Sequence, residues 1–160
     1  MRIRTAGIED LGRVAEIEQL CFPPAEGASR ESLAERLRVY PDHFWVLEDN
    51  GTVVAFVNGL VTDEPHLSDE MYDDASMHDE KGAWQMIFGV DTVPECRRRG
   101  FAAMLIRHVI AAARGQGRKG LVLTCKDRLV HYYAKFGFTD EGISGSTHGN
   151  VQWHEMRLSF

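Results

Sequence analysis

Phe88-Gly89-Val90-Asp91-Thr92-Val93-Pro94-Glu95-Cys96-Arg97-Arg98-Arg99-Gly100-Phe101-Ala102 is the stretch on which the reading of this chain turns. An apolar run ends, a short Pro-containing turn follows, and a helix begins with Arg-x-x-Gly-x-Ala. Unpaired backbone N–H groups at a helix start, together with the helix dipole, bind phosphate. Gly100 and Ala102 are small enough for a pyrophosphate to approach the backbone closely, and the three arginines add charge. The stretch is neither a P-loop, lacking its Lys-Ser/Thr, nor a Rossmann fingerprint, lacking its glycine pattern. By spacing alone, an arginine-rich helix start on a solvated surface is the simpler reading, so the surroundings must decide.

Working outward, Trp84 to Asp91 reads as one apolar strand. Arg99 to Arg114 reads as a helix that buries Phe101, Ala102, Leu105, Ile106, Val109, Ile110 and Ala113. Leu121 to Cys125 is a compact strand, parallel to the first through a right-handed crossover. Upstream, Ile3 to Thr5 is a strand, and Ile8, Leu11, Val14, Ile17 and Cys21 recur at helical spacing up to the stop at Pro23-Pro24. Ser29 can cap a second helix that ends before Pro41. Phe44 to Leu47 and Thr52 to Val61 flank the turn Asp49-Asn50-Gly51 as a hairpin. Downstream come a short helix, Leu129 to Phe136, and strands near Phe138 and from Val151 to Leu158. The order β-α-α-β-β-β-α-β-α-β-β predicts an α/β domain over 1–160, a mixed sheet with helices on both faces.

The chain has 160 residues with 44% apolar and 26% charged side chains, the profile of one soluble globular domain. Its three cysteines, Cys21, Cys96 and Cys125, are widely spaced, and no histidine pair has metal-ligand spacing, so no disulfide framework or metal is expected. Nothing has the length of a signal peptide or membrane span, which predicts a cytoplasmic protein without membrane partners. The net charge of −6 is unevenly divided. Residues 63–80 hold eight acids and no Lys or Arg, whereas residues 97–135 hold ten Lys or Arg against the single acid Asp127. That asymmetry argues against a nucleic-acid partner and for a small polyanion near residue 97. The acidic connector, with Met71, Tyr72 and Met77 as an apolar underside, suits the approach of a cation. The plainer alternative is a solvated loop.

A second motif, Leu123-Thr124-Cys125-Lys126-Asp127-Arg128-Leu129-Val130-His131-Tyr132-Tyr133-Ala134-Lys135-Phe136-Gly137-Phe138, completes the pattern. With Arg97-x-x-Gly100-x-Ala102 and the element order, the chain resembles the GNAT N-acetyltransferase superfamily, and more narrowly its arylalkylamine (serotonin-type) branch. The resemblance implies a GNAT-like fold in which the fourth and fifth strands splay apart around the pantetheine arm of acetyl-CoA, the co-substrate. It implies that the turn Arg97, Arg98, Arg99, Gly100, Phe101 and Ala102 holds the pyrophosphate. Phe88 and Val90 would bond the pantetheine or acetyl carbonyl through their backbone, with Cys125 beside the thioester. Tyr133 would protonate the departing thiolate; a phenol near ~10 can serve a thiol near ~8.5.

An alkylamine near ~10.4 must lose a proton before it attacks. Vertebrate members of the branch carry His-x-His on the fourth strand, where this chain has Trp84-Gln85-Met86. Phe22-Pro23-Pro24-Ala25-Glu26 resembles the loop that carries the catalytic glutamate of insect and fungal relatives, which implies Glu26 as base or ammonium anchor. Glu64 and His66 of the connector are lesser candidates for the base, and Phe22, Pro23, Glu64, Trp84 and Met86 are the expected substrate contacts. The expected activity is acetyl transfer to a small amine, aralkylamine first and polyamine second, by a monomer or homodimer. A peptide acetyltransferase and a non-catalytic acyl-CoA-binding module remain as alternatives.

Overall fold

The computed structural model describes all residues 1–160. Its strands are β1 (Arg2–Thr5), β2 (Phe44–Asp49), β3 (Thr52–Asn58), β4 (Val61–Thr62), β5 (Trp84–Ile87), β6 (Gly89–Thr92), β7 (Gly120–Cys125), β8 (Thr139–Ile143) and β9 (His154–Ser159). Its helices are α1 (Leu11–Cys21), α2 (Arg30–Val39), α3 (Glu70–Asp73), α4 (Phe101–Gly115) and α5 (Val130–Ala134). The expected order holds except for α3, a short helix inside the 63–80 connector, and two of the expected strands are each broken in two. Thr52 to Val61 becomes β3 and β4, and Trp84 to Asp91 becomes β5 and β6.

The breaks divide the sheet. β1-β2-β3-β6 form one part and β4-β5-β7-β9-β8 the other. β5 runs parallel to β7 only from Trp84↔Gly120 to Ile87↔Leu123. Beyond Ile87 the chain leaves β7 and joins β3 instead, so Thr124 and Cys125 lose their neighbour on that side.

The cause is local. Gly59 lies so close to the facing chain that a Cβ there would stand 1.8 Å from the Met86 carbonyl oxygen. The buried Gln85 amide holds this kink, donating to the Gly59 and Met86 carbonyls at 2.8 Å each. Its oxygen therefore faces His43, whose Nδ1–H donates to it at 2.9 Å. His43 in turn meets the Glu80 carboxylate at 3.0 Å, which also pairs with Arg118 at 2.9 Å. A chain of polar groups, running from the buried Gln85 and His43 to the exposed Glu80, thus fixes the place where the sheet opens.

The larger core joins Val14 and Ile17 of α1, Leu33 and Leu37 of α2, and Leu105, Ile106 and Val109 of α4 to the strands. A smaller core gathers Tyr40, Leu60, Leu67, Met71, Met86 and Val122. Ser29 caps α2, its side chain accepting from the Ser32 N–H at 3.1 Å. The basic helix begins two residues later than its sequence suggests. Gly100 (φ 82°) is left-handed and stops α4 from extending back through the arginines, which lie in the turn before it.

Candidate active site

The gap between β6 and the end of β7 is a cavity of about 180 Å³. Phe88, Gly89 and Val90 form one wall and Thr124, Cys125 and Lys126 the other. Val93 N–H bonds to the Val54 carbonyl, so the antiparallel alternation puts Gly89 and Asp91 in bonded pairs with β3 and Val90 in a non-bonded pair. β6 is the edge of its half-sheet. The Val90 N–H and C=O therefore point into the gap with no strand to receive them.

Tyr133 enters from α5, is 8% exposed, and packs edge-on against Tyr132 and Phe138. Burial pushes its phenol well above the ordinary value, with Cys125, Tyr132 and Asp91 adding to the shift, so it keeps its proton at neutral pH. Burial likewise lifts the Cys125 thiol to about 11. A protonated thiol whose Sγ lies 3.5 Å from Met156 Sδ is a packing group and a poor nucleophile.

The loop between α1 and α2 brings Phe22, Pro23 and Glu26 to the cavity. The Glu26 carboxylate is buried and ion-paired with Lys126 at 2.7 Å. The tail loop closes over it. His148 Nε2–H donates to the Glu26 carbonyl at 2.7 Å, and Trp153 Nε1–H donates to the His148 carbonyl at 2.9 Å. Tyr72, from α3, stacks on His148 at 4.8 Å and lies 4.9 Å from the Phe88 ring. Its hydroxyl, pushed up to about 12 by burial, meets Thr124 Oγ1 at 3.0 Å. Arg36, from α2, sits over Phe88 at 4.9 Å and donates to Asn58 Oδ1 and the Tyr72 carbonyl, leaving its buried Nε unpartnered.

Three expected substrate contacts fall elsewhere. Trp84 and Met86 share one face of β5, and that face packs on the smaller core; Met86 is fully buried there and Trp84 lies under Arg157 at 4.5 Å. Glu64 is exposed and does not line the cavity, and His66 pairs with Glu155 at 2.6 Å. The acidic connector is likewise mostly committed to its own folding. Asp63, Asp69, Asp74 and Asp79 each accept a backbone N–H, and Asp73 is its one acid on the cavity. Tyr72, expected on the apolar underside of the connector, does line the cavity, whereas sequence reasoning missed Arg36, His148 and Trp153, and also Glu18 and Asp91 below the cavity. The lone acid within the apolar Met86–Val93 run was the available signal for Asp91.

At the turn before α4, Arg98 (φ 65°) and Gly100 are both left-handed. The first helical bond runs from Met104 N–H to the Gly100 carbonyl, so the amides of Phe101, Ala102 and Ala103 have no intrahelical acceptor. The three arginines are exposed, with Arg99 resting over the Phe101 ring at 4.7 Å. Amides turned outward by left-handed residues at the start of a 15-residue helix form an anion cradle.

A sheet opened between parallel strands, a free amide in the gap, a buried phenol and an anion cradle define the class: an acyltransferase that takes its acyl group from a coenzyme A thioester. The chain belongs to the acetyltransferase (GNAT) family, which it matches over residues 11–138. It is 25% identical over 155 residues to serotonin N-acetyltransferase of Mesocricetus auratus, covering 94% of this chain and 73% of that protein. Its fold superposes on the GphF GNAT-like decarboxylase in complex with isobutyryl-CoA with a TM-score of 0.86, at 24% identity and 99% coverage of both chains. It also superposes on the ribosomal-protein-S18-alanine N-acetyltransferase of Escherichia coli (TM-score 0.74, 20% identity, 99% of this chain and 92% of the other). The chain has no helix long and apolar enough to cross a membrane.

Proposed function

We propose that this protein transfers acetyl from acetyl-CoA to the primary amine of a small aralkylamine, with polyamines second, by direct attack while both substrates are bound. The observation that carries this reading is the form of the acceptor side. It is a partly enclosed cavity walled by the aromatic rings of Phe22, Tyr72, Phe88 and Trp153, with the buried carboxylate of Glu26 in its lining. An aryl ring with a cationic tail fits such a lining, whereas a peptide needs an open groove with backbone partners. The turn Arg97–Ala102 holds the coenzyme diphosphate. The acetyl oxygen lies against the Val90 N–H, which stabilises the oxyanion. Glu26, steadied by Lys126, faces the ammonium, and Tyr133 protonates the leaving sulfur.

Thiol release from acetyl-CoA, measured over panels of aralkylamines, polyamines and peptides, tests the reading. The aralkylamines should show the highest kcat/KM. Preference for peptides would overturn the substrate class, and coenzyme binding without turnover of any amine would leave a binding module. A second reading, decarboxylation of a carboxylated acyl-CoA, draws on the buried Arg36 guanidinium and its free Nε beside Phe88. Release of carbon dioxide from malonyl-CoA without an amine would favour it.

A further inference from the structure

Glu18 of α1 and Asp91 of β6 meet below the cavity. Asp91 is fully buried, and no group in the chain donates a hydrogen bond to either of its carboxyl oxygens. Its polar neighbour is another carboxyl group, Glu18, which is 8% exposed, lines the cavity, and accepts the Ala28 N–H at 2.7 Å. Two carboxyls in contact without a cation bonded to either cannot both be ionised, so the pair holds a proton. Burial and the facing Glu18 push Asp91 well above the ordinary carboxylate range.

The other groups facing the pair do not outweigh this. Arg36 is cationic and pulls Asp91 down, but it is the smallest of the effects on that carboxyl, and its guanidinium bonds Asn58 Oδ1 and the Tyr72 carbonyl rather than either acid. The Cys21 thiol, raised by burial, points its Sγ at the Thr92 carbonyl. Tyr133 stays protonated across the gap. The way in from the cavity is Gly89, which lines it: a Cβ there would stand 3.0 Å from Asp91 Oδ1.

We infer that the Glu18–Asp91 pair receives the proton the substrate ammonium must lose, with Glu18 as the acceptor at the cavity and Asp91 as the positioning residue behind it. The inference rests on the amine acetyltransferase reading above. Glu26 is less suited to the task because Lys126 Nζ holds its carboxylate at 2.7 Å. The ammonium N–H bond breaks toward a Glu18 oxygen as the pair sheds its own proton to the cavity mouth, so the pair begins and ends singly protonated. The freed nitrogen lone pair forms the bond to the acetyl carbon, and the carbon–sulfur bond breaks. Sulfur takes the Tyr133 proton, and the phenolate recovers one from the new amide nitrogen. One proton leaves per turnover, which balances ammonium plus thioester against amide plus thiol.

Asp91→Asn and Glu18→Gln keep the volume of each side chain and test the idea on two independent readouts. The first is the pH profile of kcat with the best amine. Wild type should lose activity on acidification along a limb lying below the ~10.4 of a free alkylamine. Each variant should lose roughly 100-fold in kcat at neutral pH, with the limb moved up towards the amine's own value. The second is infrared spectroscopy of the free protein, which should show a protonated carboxyl stretch at neutral pH that Asp91→Asn removes. Unchanged kcat and limb in Asp91→Asn, with an active wild type, would overturn this inference alone, as would absence of the band from wild type. A wild type that acetylates no amine would overturn the functional reading and this proton route together, whatever the band shows.

Discussion

Replacing Tyr133 by Phe removes one oxygen atom and, on the reading above, the proton that lets the thiolate go. The phenol and thiol reference values differ by about 1.5 units, so in water the transfer is uphill by about 2 kcal/mol. Burial raises Tyr133 further, and a thiolate formed in the same gap would feel the same desolvation. The difference therefore stays modest, and the proton moves only as the carbon–sulfur bond breaks. Without the phenol the sulfur must leave as a bare anion in a cavity whose nearest thiol, Cys125, already sits at about 11. A positioned acid contributes on the order of 100- to 10,000-fold. We expect the low end, about 100- to 1,000-fold in kcat, or roughly 3–4 kcal/mol, because the Val90 N–H still stabilises the oxyanion.

The ring of the variant keeps its contacts with Tyr132 and Phe138, so Tm should change by no more than about 3 °C. Thiol release gives kcat, and the decisive comparison uses the acetyl ester of an aryl thiol, whose thiolate leaves without help. The loss in Tyr133→Phe should shrink at least tenfold with that donor, an expectation of order-of-magnitude size. A kcat within about threefold of wild type, or an equal loss with both donors, would refute the general-acid role.

Other positions give simpler outcomes. Gly100→Ala forces a side chain onto φ 82°, which should cost about 1–2 kcal/mol and weaken coenzyme A binding severalfold by calorimetry. Gly59→Ala would drive a Cβ to 1.8 Å from the Met86 carbonyl oxygen; because both sides are backbone, we expect little soluble protein by expression and circular dichroism. Arg4 donates to both oxygens of Asp10, at 2.8 and 2.9 Å, and holds its carboxyl below the usual range against the opposing effect of burial. A depressed carboxyl stabilises the fold above its unfolded value of ~3.9 and loses that contribution as pH falls through the folded one. Asp10→Asn should therefore lower Tm at pH 7, and the gap to wild type should close below about pH 4.

Most of the fold was legible because helices and strands announce themselves by period. The run Phe101 to Ala113 and the cap at Ser29 are local signals, and both are met in the structure. The break at Phe88 was not legible. Met86 to Val93 keeps enough apolar residues around Gly89 and Asp91 to read as one strand, and its division depends on Gly59, far away in sequence, approaching Met86. The same blindness misplaced Trp84 and Met86: once β5 pairs with β7, its alternation turns both into the smaller core. His148 and Trp153 lie in a Gly- and Ser-rich tail whose composition suggests a turn; only the folded chain brings them over Glu26. Charge counting located the basic turn but overstated the acidic connector, because backbone N–H groups already claim four of its eight carboxylates and Glu80 is paired with Arg118.

On the proposed mechanism, the split of β5 from β6 also lets one small cavity manage two opposite proton transfers. Base and acid must stand near the same carbonyl without neutralising one another. The sheet opening separates them by element: Glu18 of α1 faces the cavity, backed by Asp91 of β6, whereas Tyr133 follows β7 on α5. Burial keeps the proton on both Asp91 and Tyr133, and in the carboxyl pair the facing Glu18 adds to it. An incoming ammonium relieves the first by adding positive charge beside the pair. A departing thiolate draws on the second by adding negative charge near the phenol. The order of events then follows from the charge of the species present, and the Gln85–His43–Glu80 chain that fixes the kink keeps the two groups at their stations.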